Sequence, residues 1–173
     1  MAKYVELRRH TDADGDVLTP DGVRAAIELG SRLQGGYEVF VSTGAQRATQ
    51  TLACVLAGLG EKVRRGVVVE TGLRSAAEDR WRAAYEKAGS GSLQALCGAD
   101  PELVEQDSAR LAAALRRILD GLPEGGRALV AGHSPTNEAA VLGLTGRMVE
   151  PISKGSGVLL VEENGAVRIE SLG

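Results

Sequence analysis

Aromatic residues and cysteine are scarce in this chain of 173 residues. Phenylalanine, tyrosine and tryptophan together make up only 3%, so the core must be built mainly from alanine, valine and leucine. Hydrophobic residues at 43% and charged residues at 25% are typical of a soluble globular protein, and the length suits a single domain over residues 1–173. The two cysteines, Cys54 and Cys97, lie far apart in sequence, which favours free thiols in a reducing compartment over a disulfide or redox pair.

Several motifs that mark common function classes are also absent from the sequence. It has no CxxC pair and no HExxH motif, so no zinc site is predicted, and it lacks the glycine-rich phosphate loop of nucleotide-binding proteins. A formal net charge of −3 argues against nucleic acid or an anionic membrane as the main partner. No apolar run is long enough to cross a bilayer and the N-terminus has no apolar signal region, so we expect a cytoplasmic protein.

What the chain does contain is a regular alternation of strand-like and helix-like segments. Apolar, β-branched runs predict strands at residues 4–8, 38–42, 66–70, 127–132, 157–162 and 166–170. Helical spacing predicts helices after the Thr19-Pro20 cap, over 45–59, over 101–121, and from the Ser134-Pro135 cap to about Leu144. This alternation predicts an α/β fold, a three-layer α/β/α sandwich with a mostly parallel central sheet. The Asn164-Gly165 turn predicts a hairpin with one antiparallel strand at the sheet edge, and residues 71–100 are the least regular part.

Each of the two histidines directly follows one of the strand-like runs. His10 comes after the first strand and is preceded by Arg9, and His133 comes after the fourth strand. Ligands of open α/β sheets bind beyond the carboxyl ends of the strands, so both imidazoles can meet in one pocket beside a cation. Because neighbouring strand residues point to opposite faces, Arg8 is expected to be solvated or structural. The arrangement suits attack on a phosphoryl group.

Three further segments carry a resemblance to a known family. They are the helix start Leu18-Thr19-Pro20-Asp21-Gly22, the stretch STGAQRATQT at residues 42–51, and Gly132-His133. Together with Arg9-His10 they occur in the order found in the histidine phosphatase superfamily, which has the phosphoglycerate-mutase-like fold. The resemblance spans residue 4 to about residue 145.

The resemblance implies a role for each residue of this constellation. His10 would be the nucleophile that passes through a phosphohistidine, with Arg9, Arg47 and His133 around the phosphoryl group. Neutral imidazole is a competent nucleophile near pH 7, and the planar guanidinium fork suits phosphate. Arg47 would lie in the first turn of its helix, whose amino end favours anions, and Ser134 would lie at a similar helix start. The family needs no metal or organic cofactor, and none is expected here.

The loop that follows the nucleophile departs from the family pattern at two positions. Thr11 stands where glycine is common, and its hydroxyl either binds phosphate or caps the loop. Asp16 stands where many relatives place a phosphate-binding asparagine, and we expect its carboxylate to point to solvent. The alternative is that this acidic loop selects substrates that carry a positive group.

The proton donor is the third departure, because Ser75 occupies the position at which relatives carry the glutamate that protonates the leaving oxygen. A serine cannot act as an acid at neutral pH. Glu78 is our first candidate for the donor, Asp79 the second and Asp12 the third. Asp79 and Arg74 are also candidates for substrate contacts. A cluster of arginines nearby forms either a substrate-binding rim or a solvated helix face: Arg74, Arg80 and Arg82.

The expected function is therefore a metal-independent phosphatase that hydrolyses a phosphomonoester through a phosphohistidine on His10. Two alternatives stay open: a protein phosphohistidine phosphatase, whose leaving imidazole needs less acid help, and a non-catalytic, phosphate-binding regulatory relative. Mutase activity is the less favoured reaction. The expected partner is a small phosphorylated substrate or a phosphoprotein.

Overall fold

Strands and helices alternate along residues 1–172, which are the residues that the computed structural model describes. The strands are β1 (Lys3–Arg9), β2 (Ala13–Asp14), β3 (Val17–Leu18), β4 (Val39–Ser42), β5 (Val67–Val69), β6 (Arg127–Gly132), β7 (Gly157–Glu163) and β8 (Ala166–Ser171). The helices are α1 (Pro20–Arg32), α2 (Gln46–Leu59), α3 (Glu78–Ala88), α4 (Leu93–Ala99), α5 (Pro101–Gly121) and α6 (Thr136–Thr145), with a short 3₁₀ turn at Thr71–Leu73. None of these helices is both long and apolar enough to cross a membrane.

Six strands form a mixed sheet in the order β5-β4-β6-β1-β7-β8. The first four of these strands are parallel, whereas β7 runs antiparallel to both β1 and β8. The predicted mostly parallel sheet with a hairpin at one edge is therefore confirmed. The carboxyl ends of β1, β4 and β6 lie side by side, because Arg9 is paired with Gly132 and Ser42 with Ala131.

Helices cover both faces of the sheet, so the predicted three layers are confirmed. Alternation along the strands sends one set of side chains to each face. On one face, Phe40 and Leu129 pack with buried residues of α1 and α2. On the other face, Val41 and Val130 pack with a larger cluster that includes residues of α3, α4, α5 and α6.

Of the two predicted helix N-caps, the one at Thr19 is observed and the one at Ser134 is not. Thr19 caps α1 as predicted, since its hydroxyl accepts a hydrogen bond from the Gly22 amide at 3.0 Å and Pro20 is the first helical residue. Ser134, by contrast, does not cap α6. The helix begins at Thr136, and the Ser134 hydroxyl donates to the carboxylate of Glu138 instead.

The least regular predicted region, residues 71–100, contains two helices. The helix α3 is polar, with only Trp81 and Ala84 buried, and α4 has seven residues. Such short or polar helices give a weak apolar period. The loop after His10 also contains the small β2–β3 hairpin, which was not predicted.

Candidate active site

The two imidazoles meet at the carboxyl edge of the sheet. His10 follows β1 and His133 follows β6, and the parallel pairing of these strands brings both side chains to the same end. Their ring centroids lie 5.4 Å apart, and each histidine is only 8% exposed. The expected meeting of the two histidines in one place is therefore what the fold produces.

His10 is held in one tautomer by the backbone. Its Nδ1 lies 2.6 Å from the carbonyl oxygen of Thr11, and since a carbonyl only accepts, Nδ1 donates and Nε2 keeps a free lone pair. Burial lowers the pKa of His10, the positive charges of Arg47, Arg9 and Lys154 lower it further, and the Thr11 carbonyl opposes them. The ring is neutral at pH 7, which is the form that a nucleophile requires.

His133 is also held neutral, and more strongly. Burial, followed by the positive charge of Arg47, lowers the pKa of His133 to about 3. Its Nε2 lies 2.8 Å from the hydroxyl of Thr43, and its buried Nδ1 has no hydrogen-bond partner among the described residues. Thr43 was not singled out from the sequence, although a polar residue directly after a buried strand is a usable signal at this sheet edge.

Arg47 lies in the first turn of α2, as predicted, but its partner was not foreseen. The Oδ1 of Asp16 accepts hydrogen bonds from Arg47 Nη1 at 2.8 Å and from the Arg47 amide at 3.2 Å, while Oδ2 accepts from the Gln46 amide at 3.2 Å. Asp16 therefore caps α2 and orients the guanidinium. Asp16 is exposed, with 47% of its side chain accessible, so the expectation that it points to solvent holds in part, but free helix amides and a cation attract its carboxylate.

The two arginines at the end of β1 separate as expected from strand alternation. Arg8 is buried, with Nε 3.3 Å from the Glu6 carboxylate and Nη1 3.1 Å from the Gly155 carbonyl oxygen, so its role is structural. Arg9 is half-buried and donates from Nη1 to the carbonyl of Ile152 at 3.1 Å. Its buried Nε has no hydrogen-bond partner among the described residues, and its positive charge helps to lower the pKa of His10.

A cavity of about 280 Å³ opens beside His133. Four of its lining residues are predicted site residues: Arg47, Glu78, His133 and Ser134. The others are Ser75, Trp81, Arg82, Tyr85, Pro135 and Thr136. Trp81 and Tyr85 lie four residues apart on α3, on one face of the helix, and both line the cavity, so this helix forms one wall of it.

The three candidate proton donors lie in different surroundings. Glu78 lines the cavity, and its Oε1 is 2.8 Å from Nε of Arg74, with both side chains partly exposed. Asp79 does not line the cavity: its side chain is 98% exposed and pairs with Arg82. Its placement in the site is therefore wrong, because the turn of α3 carries it outward. Asp12 is bound to Lys154 at 2.5 Å.

Thr11, a predicted substrate contact, and Ser75, which stands at the position of the relatives' glutamate, both use their hydroxyl groups within the protein. The Thr11 side chain lies 3.4 Å from the hydroxyl of Thr51, and the Thr11 amide donates to that same hydroxyl at 3.2 Å, which favours the loop-holding alternative. Ser75 donates to the buried carboxylate of Asp107 at 2.6 Å and accepts from the Ala77 amide at 2.9 Å. Its hydroxyl thus stabilises the start of α3.

Lys154 is a residue whose contribution sequence reasoning missed. The sequence around it reads as a turn, and the structure does place a turn there. The ammonium group pairs with Asp12 and adds to the positive charge felt by His10. The contact joins two loops 142 residues apart, so no local pattern could have revealed it.

Comparisons with known proteins agree with this fold. The sequence profile of the histidine phosphatase superfamily (branch 1) matches residues 3–157. The solved phosphoglycerate mutase from Bacillus anthracis str. Sterne is 21% identical, with a TM-score of 0.72 over 99% of this chain and 92% of that chain. A phosphoserine phosphatase from Entamoeba histolytica, in complex with 3-phosphoglyceric acid, is 16% identical, with a TM-score of 0.72 over 98% and 95%.

A third solved structure, the alpha-ribazole phosphatase from Shigella flexneri, is 15% identical, with a TM-score of 0.66 over 99% of this chain and 96% of that chain. At such identities the structural likeness shows the shared fold alone. A search of curated protein sequences finds no match.

Proposed function

This chain belongs to the histidine phosphatase superfamily (branch 1), and we propose that it is a phosphatase that hydrolyses a phosphomonoester through a phosphohistidine formed on His10. The observation that carries the proposal is the state of the His10 ring. Its Nδ1 is committed to the Thr11 carbonyl, burial lowers its pKa, and its Nε2 lone pair is left for attack. A buried imidazole with one fixed nitrogen and one free nitrogen is an oriented nucleophile.

In the proposed first step, Nε2 of His10 attacks phosphorus in line with the leaving oxygen. The N–P bond forms as the P–O bond breaks, and the electron pair of that bond goes to the leaving oxygen, which must gain a proton. Negative charge spreads over the three remaining phosphoryl oxygens, so positioned donors and cations supply most of the stabilisation. The groups placed for this are the guanidinium groups of Arg47 and Arg9 and the ring of His133.

In the second step, water attacks phosphorus, and the O–P bond forms as the N–P bond breaks. The electron pair returns to Nε2 of His10, inorganic phosphate leaves, and the proton of water regenerates the acid that protonated the leaving oxygen. Water must reach the phosphorus atom for hydrolysis to compete with transfer to another acceptor. The cavity beside His133 opens to solvent along α3, where Tyr85 is 54% exposed and the Glu78 side chain is 45% exposed. This openness favours hydrolysis over a mutase reaction, which requires the phosphorylated acceptor to be enclosed. We propose that no metal is needed, because arginine side chains supply the cations.

A protein phosphohistidine phosphatase is the second candidate, and one observation favours it. Glu78 is the one carboxyl group among the cavity-lining residues, and it is engaged by Arg74. A leaving imidazole requires less protonation by an acid than an alkoxide does. An open cavity walled by Trp81, Tyr85 and Pro135 also suits a phosphohistidine side chain on the surface of a protein partner.

The test is hydrolysis of p-nitrophenyl phosphate in the presence of EDTA by the wild type and by His10→Ala. We expect turnover by the wild type and loss of at least about 10³-fold in the variant, because the nucleophile is removed. Glu105→Ala, at an exposed position on α5, is the matched control and should keep full activity. Rapid acid-free quenching with labelled substrate should trap phosphate on the wild type and not on His10→Ala. Activity that survives His10→Ala would overturn the proposal.

A further inference from the structure

Glu138 is a buried acid whose burial is only partly compensated by its neighbours, which are the Ser134 hydroxyl, nearby backbone and the charge of Arg9. It lies in the first turn of α6 and is only 1% exposed. One carboxylate oxygen, Oε2, accepts a hydrogen bond from the Ser134 hydroxyl. The other, Oε1, is buried without a hydrogen-bond partner in the part of the chain that the structure describes. A buried acid with one oxygen outside normal hydrogen-bond geometry points to a functional role.

Ser134 connects this buried acid to the cavity. It directly follows His133 in the chain, is half-buried, and lines the cavity beside His133 and Arg47. A hydroxyl can accept one proton while it donates another. Ser134 therefore lies between the buried carboxyl group, to which its hydroxyl is hydrogen-bonded, and the cavity that it lines.

The surroundings of Glu138 favour a carboxyl group that holds a proton. Burial raises the pKa of Glu138, while the hydrogen bond from Ser134, the backbone of Ile152 and the positive charge of Arg9 act in the opposite direction. Arg9, at the end of β1, is the charged side chain that faces Glu138 from a neighbouring element. A general acid requires a raised pKa of this kind near the working pH.

The other two acids beside the cavity are less suited to donate. Oε1 of Glu78 accepts from Nε of Arg74 at 2.8 Å, so this oxygen is committed to a cation rather than to a leaving group. Asp107 accepts from both the Ser75 hydroxyl and the Trp81 indole at 2.6 Å. These two bonds fix the wall of the cavity, which accounts for the burial of Asp107.

We propose that Glu138 supplies the proton for the leaving oxygen and passes it through Ser134, an inference that rests on the phosphatase function proposed above. As the P–O bond breaks, the Ser134 hydroxyl gives its proton to the leaving oxygen, and the Ser134 oxygen takes the proton of the Glu138 carboxyl group. When water attacks the phosphohistidine, the proton released by water returns through Ser134 to the Glu138 carboxylate. Ser134 contacts the substrate, and Glu138 acts through it.

The experiment compares two substrates that differ in their need for an acid. The leaving group of p-nitrophenyl phosphate departs without protonation, whereas that of benzyl phosphate is an alkoxide that requires it. Glu138→Gln keeps the size of the side chain and its hydrogen bond with Ser134 but removes the proton. We expect kcat/KM for benzyl phosphate to fall about 10²-fold or more, and the value for p-nitrophenyl phosphate to change by less than about threefold.

Two further variants and a pH profile separate a relay from a structural role. Ser134→Ala should show the same selective loss, and the double variant should lose no more than either single one, since both act in one path. In the wild type, kcat/KM for benzyl phosphate should fall as the pH rises through the pKa of Glu138, and Glu138→Gln should lack this fall. Glu78→Gln is the comparison variant, and we expect it to leave the ratio of the two substrates unchanged.

Each outcome bears on one of the two proposals. Equal losses on both substrates in Glu138→Gln, or no loss, would overturn the relay while the phosphatase function stands. A selective loss in Glu78→Gln instead would assign the donor to Glu78 and also overturn the relay. If Glu138→Gln does not fold, Ser134→Ala decides by the same criterion. A wild type inactive on both substrates, or activity that survives His10→Ala, would overturn the phosphatase function and with it the relay.

Discussion

His10 and His133 are both neutral in the folded protein, and burial is the main cause for each. The two rings differ in how they are held. His10 is anchored by a backbone carbonyl at Nδ1, whereas His133 contacts the Thr43 side chain through Nε2. A hydrogen bond to a backbone carbonyl keeps the His10 ring in one tautomer when the pH or the substrate changes, which suits a nucleophile. A hydroxyl can either donate or accept, so the Thr43 contact does not fix the tautomer of His133, and the ring can present an N–H to a phosphoryl oxygen.

Because both pKa values lie below the ordinary 6.5, the unfolded chain binds more protons than the folded protein below about pH 6.5. The free energy of unfolding should therefore fall as the pH is lowered. For His133, with a pKa of about 3, the loss between pH 7 and pH 5 should be about 2 kcal/mol. Urea unfolding at both pH values measures it.

The variant His133→Gln removes this titrating group and should lose correspondingly less stability between pH 7 and pH 5. The lowered pKa values of carboxyl groups such as Asp12 and Asp16 start from an ordinary value of 3.8, so they contribute mainly below this range. An unchanged pH dependence in His133→Gln would contradict the assignment of His133 as a buried neutral ring.

At the scale of elements, α1 and α2 approach each other through glycine. A Cβ atom built on Gly58 would lie 2.0 Å from the carbonyl oxygen of Ile27, and one on Gly30 would lie 2.0 Å from that of Val55. At each of these contacts, the backbone of one helix packs against a glycine of the other helix, where no side chain stands in the way. This close contact between α1 and α2 also helps to position the candidate active site, because the amino end of α2 carries Arg47 and is capped by Asp16.

Gly58→Ala should separate α1 from α2 and destabilise the protein by about 1–3 kcal/mol, since backbone cannot yield to the added methyl group. The matched control is Gly98→Ala in α4, where an added Cβ meets nothing within 4 Å. That variant should be stabilised by about 0.4–1 kcal/mol through the lower entropy of its unfolded chain. Chemical denaturation of both variants measures the contrast, and equal effects at the two positions would contradict this account of the packing.

At the scale of the whole molecule, one buried carboxylate ties together segments that are far apart in sequence. Glu6 accepts from the Tyr37 hydroxyl at 2.7 Å, from Arg127 Nη1 at 2.9 Å and from Arg8 Nε at 3.3 Å. These bonds connect β1 with the start of β6 and with the segment before β4. Burial and the Glu6 carboxylate also raise the pKa of Tyr37.

Glu6→Gln should destabilise the protein by about 3–5 kcal/mol, because it leaves the buried Arg8 without a countercharge. Glu163→Gln is the control: this carboxylate pairs with Arg168, but its side chain is 53% exposed, so the cost should stay below about 1 kcal/mol. Thermal or urea unfolding of the two variants gives the difference. A cost for Glu6→Gln as small as that for Glu163→Gln would show that the network contributes little to stability.

Much of the fold and part of the site could be predicted from the sequence, because both depend on local periodicity. The apolar runs of β1, β4 and β6 set the strands, and parallel strands bring His10, Arg47 and His133 to one edge of the sheet. The strong periods of α1, α2 and α5 were likewise readable. The polar α3 and the short α4 were not, because their packing depends on distant parts of the chain.

The sequence by itself thus determined the layers, the strand ends and the residue types gathered there. Only the tertiary structure decided which way the polar side chains turn: Asp16 toward Arg47, Ser134 toward Glu138, and Asp79 into solvent. The physical reason is that a polar side chain takes whichever donor, acceptor or cation lies within about 3 Å. Those partners are set by the approach of loops and helices across the sheet edge, which no local pattern encodes.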